Sequence, residues 1–193
     1  MGDWMAPLIA TALLQNVALN LGLGLGPALG TAPNIERALW ASLLGIPVLV
    51  LASALGWLLE SLVLRPQGWD ALRLPMLLGI TALIAQSAVL GLRAGPHALR
   101  AALNPHLALF GVHWTILGLG LVLMPAPASL GAALAIGLGT ALGVGVVLVP
   151  LAALVARLGF ADVPAPFRGL PIALVSLALA ALAFLGFNGL VKV

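Results

Sequence analysis

The chain has 193 residues, of which 63% are hydrophobic and 7% charged, with eight Lys+Arg against five Asp+Glu and a formal net charge of +3. A soluble globule carries about 25% charged residues, so this chain cannot cover a water-facing surface, and a lipid-embedded protein is the class left. The excess basic charge comes with no basic patch and no aromatic platform, which excludes nucleic acid as a partner.

Six segments are apolar over a length sufficient to cross a bilayer, which takes about 20 helical residues at 1.5 Å each. They are Met5–Leu25, Ala38–Leu58, Leu72–Leu92, Leu107–Met124, Leu130–Val155 and Leu170–Val191. None alternates apolar and polar residues with period two, so a β-barrel is not the reading. The first lacks the basic leader of a signal peptide. Proline-containing breaks follow in order at 30–34, 66–68, 95–96, 125–127 and 162–166. Proline lacks a backbone donor and clashes with the preceding turn, so these are helix stops.

The sequence thus predicts an all-α polytopic membrane protein of six transmembrane helices in one transmembrane domain over 1–193. The break near Gly95 divides it into pseudo-repeats 1–94 and 95–193. Three spans per half place the halves in opposite orientation, the geometry of two inverted three-helix repeats. The first and fourth helices are expected to be broken. In the first, glycine alternates through Leu21–Gly22–Leu23–Gly24–Leu25–Gly26–Pro27, which lowers the cost of leaving the helix; close packing against a neighbouring helix is the alternative reading of these glycines. Gly137, Gly139, Gly143 and Gly145 read as close-packing positions.

Loop charge sets orientation. Arg37, Arg93, Arg100, Arg157 and Arg168 collect on one side, and Arg65, Arg73 and Lys192 on the other. The positive-inside rule puts the first group in the cytoplasm and both termini outside it. The expected location is the bacterial inner membrane, multi-pass, with periplasmic termini.

Polar residues inside these segments are the candidate site. Gln15 and Asn16 lie mid-span, and Asn20 is four residues beyond Asn16 on the same helical face. An unsatisfied amide in lipid is costly, so these three are either an interhelical hydrogen-bonding set or a polar lining for an ion or electron route. His106 and His113 are seven apart, close to one helical face. They read as structural or interfacial histidines, with haem or metal ligation as the alternative. Trp114 sits mid-span, away from the interface belt that Trp4, Trp57 and Trp69 fit. The chain has no cysteine, no nucleophile elbow, no phosphate loop and no dinucleotide fingerprint.

The run Ala161–Asp162–Val163–Pro164–Ala165–Pro166–Phe167–Arg168–Gly169, with Leu182–Ala183–Phe184–Leu185–Gly186–Phe187–Asn188–Gly189–Leu190–Val191–Lys192, resembles the end of the A subunit of Rnf electron-transport complexes and its relative, the E subunit of the sodium-pumping NADH:quinone reductase. The resemblance runs through the whole chain. It implies a six-helix inverted-repeat fold, packed against a related six-helix membrane subunit of opposite orientation and against other redox-complex subunits. It further implies that each of the two related subunits gives two cysteines to an iron–sulfur cluster within the membrane. At the matching positions this chain has Gly26 and Trp114. The resemblance therefore implies a membrane subunit of an ion-translocating electron-transport complex with no iron–sulfur cluster on this chain alone. Haem or flavin would reside in partner subunits. The role is structural or serves an altered electron route. A small-molecule or ion transport module and a non-redox scaffold of another membrane complex are the alternatives.

Overall fold

A computed structural model describes residues 4–23, 25, 35–94, 115, 118, 119 and 129–187. Five helical stretches run through them: α1 (Met5–Asn20), α2 (Ile35–Gln67), α3 (Arg73–Ala94), α4 (Leu130–Leu158) and α5 (Leu170–Leu185). Short 3₁₀ turns at Asp70–Leu72 and Ala165–Phe167 precede α3 and α5.

Six membrane-crossing helices in two inverted three-helix repeats are not what the structure shows. Among the described residues, α2 and α4 alone are long and apolar enough to cross a bilayer. The first expected span is interrupted inside its apolar run. The third, α3, is helical over 22 residues, carries Thr81, Gln86 and Ser87, and is less apolar than α2 and α4. The last is helical over 16 residues, about 24 Å against the roughly 30 Å of a hydrocarbon core. The fourth expected span and its break lie outside the described residues except for Thr115, Gly118 and Leu119. An apolar stretch of sufficient length is necessary for a crossing helix and does not by itself make one.

What is buried and what is exposed have the sense expected in lipid. Between Ile35 and Leu59 the buried residues of α2 are Ala38, Ala41, Gly45, Leu49, Ala52, Ser53 and Gly56, most of them three or four apart along one face. Its exposed residues include Leu39, Leu43, Leu51, Leu55, Leu58 and Leu62. A water-soluble helix would invert this arrangement, because an exposed stripe of leucine is unfavourable in water. Lipid chains are as apolar as leucine, so helices in a bilayer associate instead through close approach of small residues and through hydrogen bonds.

The 29-residue α4 is the central element. Gly137 approaches Ser53 and the Leu49 carbonyl of α2, while Gly145 approaches Ser42. The residue numbers run in opposite directions, so α2 and α4 are antiparallel. α1 runs parallel to α4, since Thr11 meets Ile136 and Gly139, and Asn16 meets Gly143. One core cluster joins Ala18 and Leu25 to Ala38, Ala41, Val144, Leu148, Leu151 and Ala152, with Leu177 and Phe184 of α5 against it. A second joins Leu49 and Ala52 to Leu119, Ile136 and Ala141. Arg37 and Arg157 therefore lie at one end of the α2–α4 pair and Arg65 at the other. Gly68 closes α2 in the left-handed region at φ 66°, its N–H donating to the Arg65 carbonyl. A residue with a side chain rarely adopts that conformation.

Candidate functional site

The helix ends at Asn20 and Gly22 takes φ 65°, at the start of the alternating glycines where the sequence places the break, but α1 is also interrupted earlier, at Gln15–Asn16. The helix first widens into a π-turn over Ala10–Leu14, and the Gln15 N–H reaches back to the Ala10 carbonyl at 2.7 Å. Gln15 then leaves helical geometry (φ −102°, ψ 40°), and Asn16 is extended (φ −64°, ψ 114°) before helix resumes at Val17.

A break inside an apolar environment strands backbone donors and acceptors, and each must find a partner. The two asparagines supply them. Asn16 Nδ2 donates to the Ala12 carbonyl at 2.9 Å, taking the bond that its own backbone N–H would make in an unbroken helix. The Ala18 N–H donates to Asn16 Oδ1 at 3.0 Å. Asn20 Nδ2 donates to the Leu14 carbonyl at 3.0 Å, which in an unbroken helix would accept from Ala18. Two side-chain amides thus replace the backbone ladder across the gap.

Asn16 also ties the break to α4. Its Nδ2 donates to the Gly143 carbonyl at 2.8 Å, and the residue is 1% exposed. The approach requires glycine, because a Cβ at position 143 would stand 2.6 Å from the Ala12 carbonyl oxygen and 2.9 Å from Asn16 Nδ2. One turn earlier, Gly139 lies against Thr11 and the Leu8 carbonyl. The Thr11 hydroxyl lies 2.8 Å from the Pro7 carbonyl oxygen and 3.4 Å from that of Ile136 across the interface. Gly118 packs on Val17 and Leu23 at the same level.

The depth of this break follows from α4. Gly143 lies midway along that helix. Trp57 near one end of α2 and Arg37 near the other are interfacial residue types. They are 20 residues apart, about the length that crosses a hydrocarbon core. The Asn16 break is therefore level with the middle of α4. Gln15 and Asn20 are exposed on the surface of the chain at that depth.

Two further buried polar residues are ones that sequence reasoning does not single out. Thr140 is 1% exposed, and its Oγ1 has no hydrogen-bond partner among the described residues. The carbonyl four residues before it, to which a helical threonine ordinarily donates, is Ile136, already approached by Thr11. Glu60 is buried in a second π-turn, Glu60–Leu64, with Oε1 3.7 Å from Arg65 Nε. The signal for Glu60 is an acid closing an apolar run. The signal for Thr140 is a hydroxyl between the two glycine pairs of α4.

Gly26, His106, His113 and Trp114 lie outside the described residues. Among the described residues, no group of three or more His, Cys, Asp or Glu is placed to hold a metal ion. The iron–sulfur cluster implied by the resemblance does not fit the donors present. A cluster needs thiolates, or histidine at part of its ligand set, and the chain has no cysteine. Neither glycine nor tryptophan offers iron a ligand, so no electron step is assigned to these positions.

Comparison with known proteins agrees with this frame. The family profile described as "Rnf-Nqr subunit, membrane protein" matches residues 4–191. The A subunit of the ion-translocating oxidoreductase complex of Rhodobacter capsulatus is 37% identical over 193 residues, covering 100% of both chains. The corresponding protein of Cereibacter sphaeroides is 36% identical over 190 residues, covering 98% of each. That of Yersinia enterocolitica is 35% identical over 192 residues, covering 100% of both. A match of this length, on a chain whose helices bury glycine and alanine and expose leucine, makes it a membrane protein of the Rnf-Nqr subunit family.

Proposed function

We infer that the chain is a non-catalytic membrane subunit of an ion-translocating oxidoreductase complex, contributing no cluster of its own. The observation that carries this reading is the end-to-end match to the A subunits of such complexes combined with the absence of any cysteine. Its partners are a related membrane subunit of opposite orientation and the redox-carrying subunits of the complex. The cytoplasmic end is the one with Arg37, Arg157 and Arg168, following the positive-inside rule. The start of α1 then faces the periplasm.

Gln15 and Asn20 belong to the face that meets the partner. Exposed amides at mid-membrane are poorly suited to lipid, and a neighbouring protein or a hydrated route between the subunits relieves them. Asn16 has a different part, holding the break in place from inside.

The test is purification of the tagged chain from its native membranes in mild detergent. Companion subunits bearing flavin or iron–sulfur centres are expected, with no labile sulfide on the isolated chain. Single cysteines introduced at Arg37 and at Trp4, in this naturally cysteine-free sequence, should label from the cytoplasmic and the periplasmic side respectively. A chain that purifies alone, and whose deletion leaves membrane electron transport unchanged, would remove the reading.

A further inference from the structure

The turn joining α4 to α5 takes no part in the break, yet it has a defined shape. The Arg168 Nε donates to the Val163 carbonyl at 2.8 Å, and Val163 itself is buried. The Phe167 N–H donates to the Pro164 carbonyl at 2.9 Å. Gly169 ends the turn at φ +81°. This braced loop displays two aromatic rings outward: Phe160 is 97% exposed and Phe167 51%. Beside them Arg157 is exposed in the last turn of α4 and makes no ion pair among the described residues. Arg168 lies 3.9 Å from Asp162, so Arg157 is the cation left to act outward.

Depth decides what can cover these rings. Gly137 faces Ser53, which sets Ala133 of α4 level with Trp57 of the antiparallel α2. About 20 residues of helix cross the hydrocarbon, and counted from Ala133 they end at Ala153, level with Arg37 at the same end of α2. Phe160 comes seven residues later. At 1.5 Å per residue this is about 10 Å past the hydrocarbon, beyond a headgroup layer of about 5–7 Å per side. Acyl chains do not reach a ring at that height. An almost fully exposed phenylalanine there calls for apolar cover from the aqueous side, and the neighbouring unpaired guanidinium calls for negative charge at the rim of that cover.

We propose that the α4–α5 turn is a docking knob for a water-soluble protein domain that offers an apolar pocket to the Phe160 ring and carboxylates to Arg157. This rests on the membrane placement of α2 and α4 given above. Aromatic rings seated in pockets, with a charged rim that steers approach, are the usual composition of such contacts.

The test uses the full chain in its native membranes. A photoreactive p-benzoylphenylalanine replaces Phe160 and, in a second variant, Leu51, which is 54% exposed in α2 between Arg37 and Trp57. Phe160→p-benzoylphenylalanine should give an adduct with a soluble domain, mapping to an Asp/Glu-rich segment beside apolar residues. Adding Arg157→Glu should cut the adduct yield several-fold, and Arg157→Lys should retain it. A phospholipid adduct alone, an adduct within a membrane-embedded segment, an adduct indifferent to Arg157→Glu, or no adduct would overturn the proposal. Leu51 should give lipid adducts. Their absence would show that the membrane placement itself is wrong, which separates that failure from failure of the docking assignment.

Discussion

Replacing Gly143 by alanine tests whether the Asn16 break is held by backbone approach. The added Cβ would lie 2.6 Å from the Ala12 carbonyl oxygen and 3.0 Å from the Ala12 Cα. Both are backbone atoms, so no side-chain rotation relieves the clash and α1 must move away from α4. Overpacking of this kind costs about 1–3 kcal/mol. The same shift lengthens the Asn16–Gly143 hydrogen bond, and interhelical hydrogen bonds in membranes are worth about 0.6 kcal/mol on average and up to about 1.7. The combined loss is about 2–4 kcal/mol. Alanine also gains helix propensity over glycine, by up to about 1 kcal/mol, and the control must carry that gain too. Gly45 provides it, because a Cβ there meets nothing within 4 Å. The propensity gain is common to Gly143→Ala and Gly45→Ala and cancels in the comparison. The gap between the two variants should therefore be about 2–4 kcal/mol in reversible unfolding in bicelles. Two variants of equal stability would refute the account of the interface.

Two further substitutions probe neighbouring contacts. Gly118→Ala drives a methyl into Val17, a side chain instead of backbone, so Val17→Ala in the same chain should restore much of the stability that Gly118→Ala loses; strictly additive losses in a double-mutant cycle would count against that contact. Thr140→Val removes a buried hydroxyl that has no partner while keeping the shape, and should raise stability by roughly 1 kcal/mol; a loss of similar size in thermal unfolding would show that the hydroxyl is used.

Different parts of this structure are legible in the sequence to different degrees. The small residues of α4 can be read as a packing surface, but the division of labour among them cannot. Gly137 and Gly145 face α2, and Gly139 and Gly143 face α1. Helical geometry advances about 100° per residue, which separates these pairs onto two sides, yet which helix meets each side is a tertiary fact. The expected break in the first helix rests on glycine, the residue that makes leaving a helix cheap. The helix does end at those glycines, with Gly22 at φ 65°, but an earlier interruption, at Gln15–Asn16, falls where amides can take over the ladder. Helix propensity describes the cost of a gap, whereas in an apolar medium the satisfaction of stranded backbone groups decides its place. Glu60 escapes a reading of the sequence because the second apolar segment ends at Leu58, which leaves Arg65 as only a loop charge. The π-turn at 60–64 carries helix past that point and brings the two side chains within 3.7 Å.

The same reasoning explains how a chain of this family can hold its fold without a single cysteine. Leucine gives the sequence its character, but leucine faces outward in α2 and does little to specify which helices meet. Specification rests with quieter residues: Asn16 and Thr11 reaching α4, the glycines that admit them, and Ser42 and Ser53 against Gly145 and Gly137. Each of these contacts is made by residues other than Gly26 and Trp114, the positions matched to cluster ligands. None of these contacts depends on a ligand at those positions. A chain built this way keeps its helices together without a cluster, and it matches its relatives at 35–37% identity across their full length.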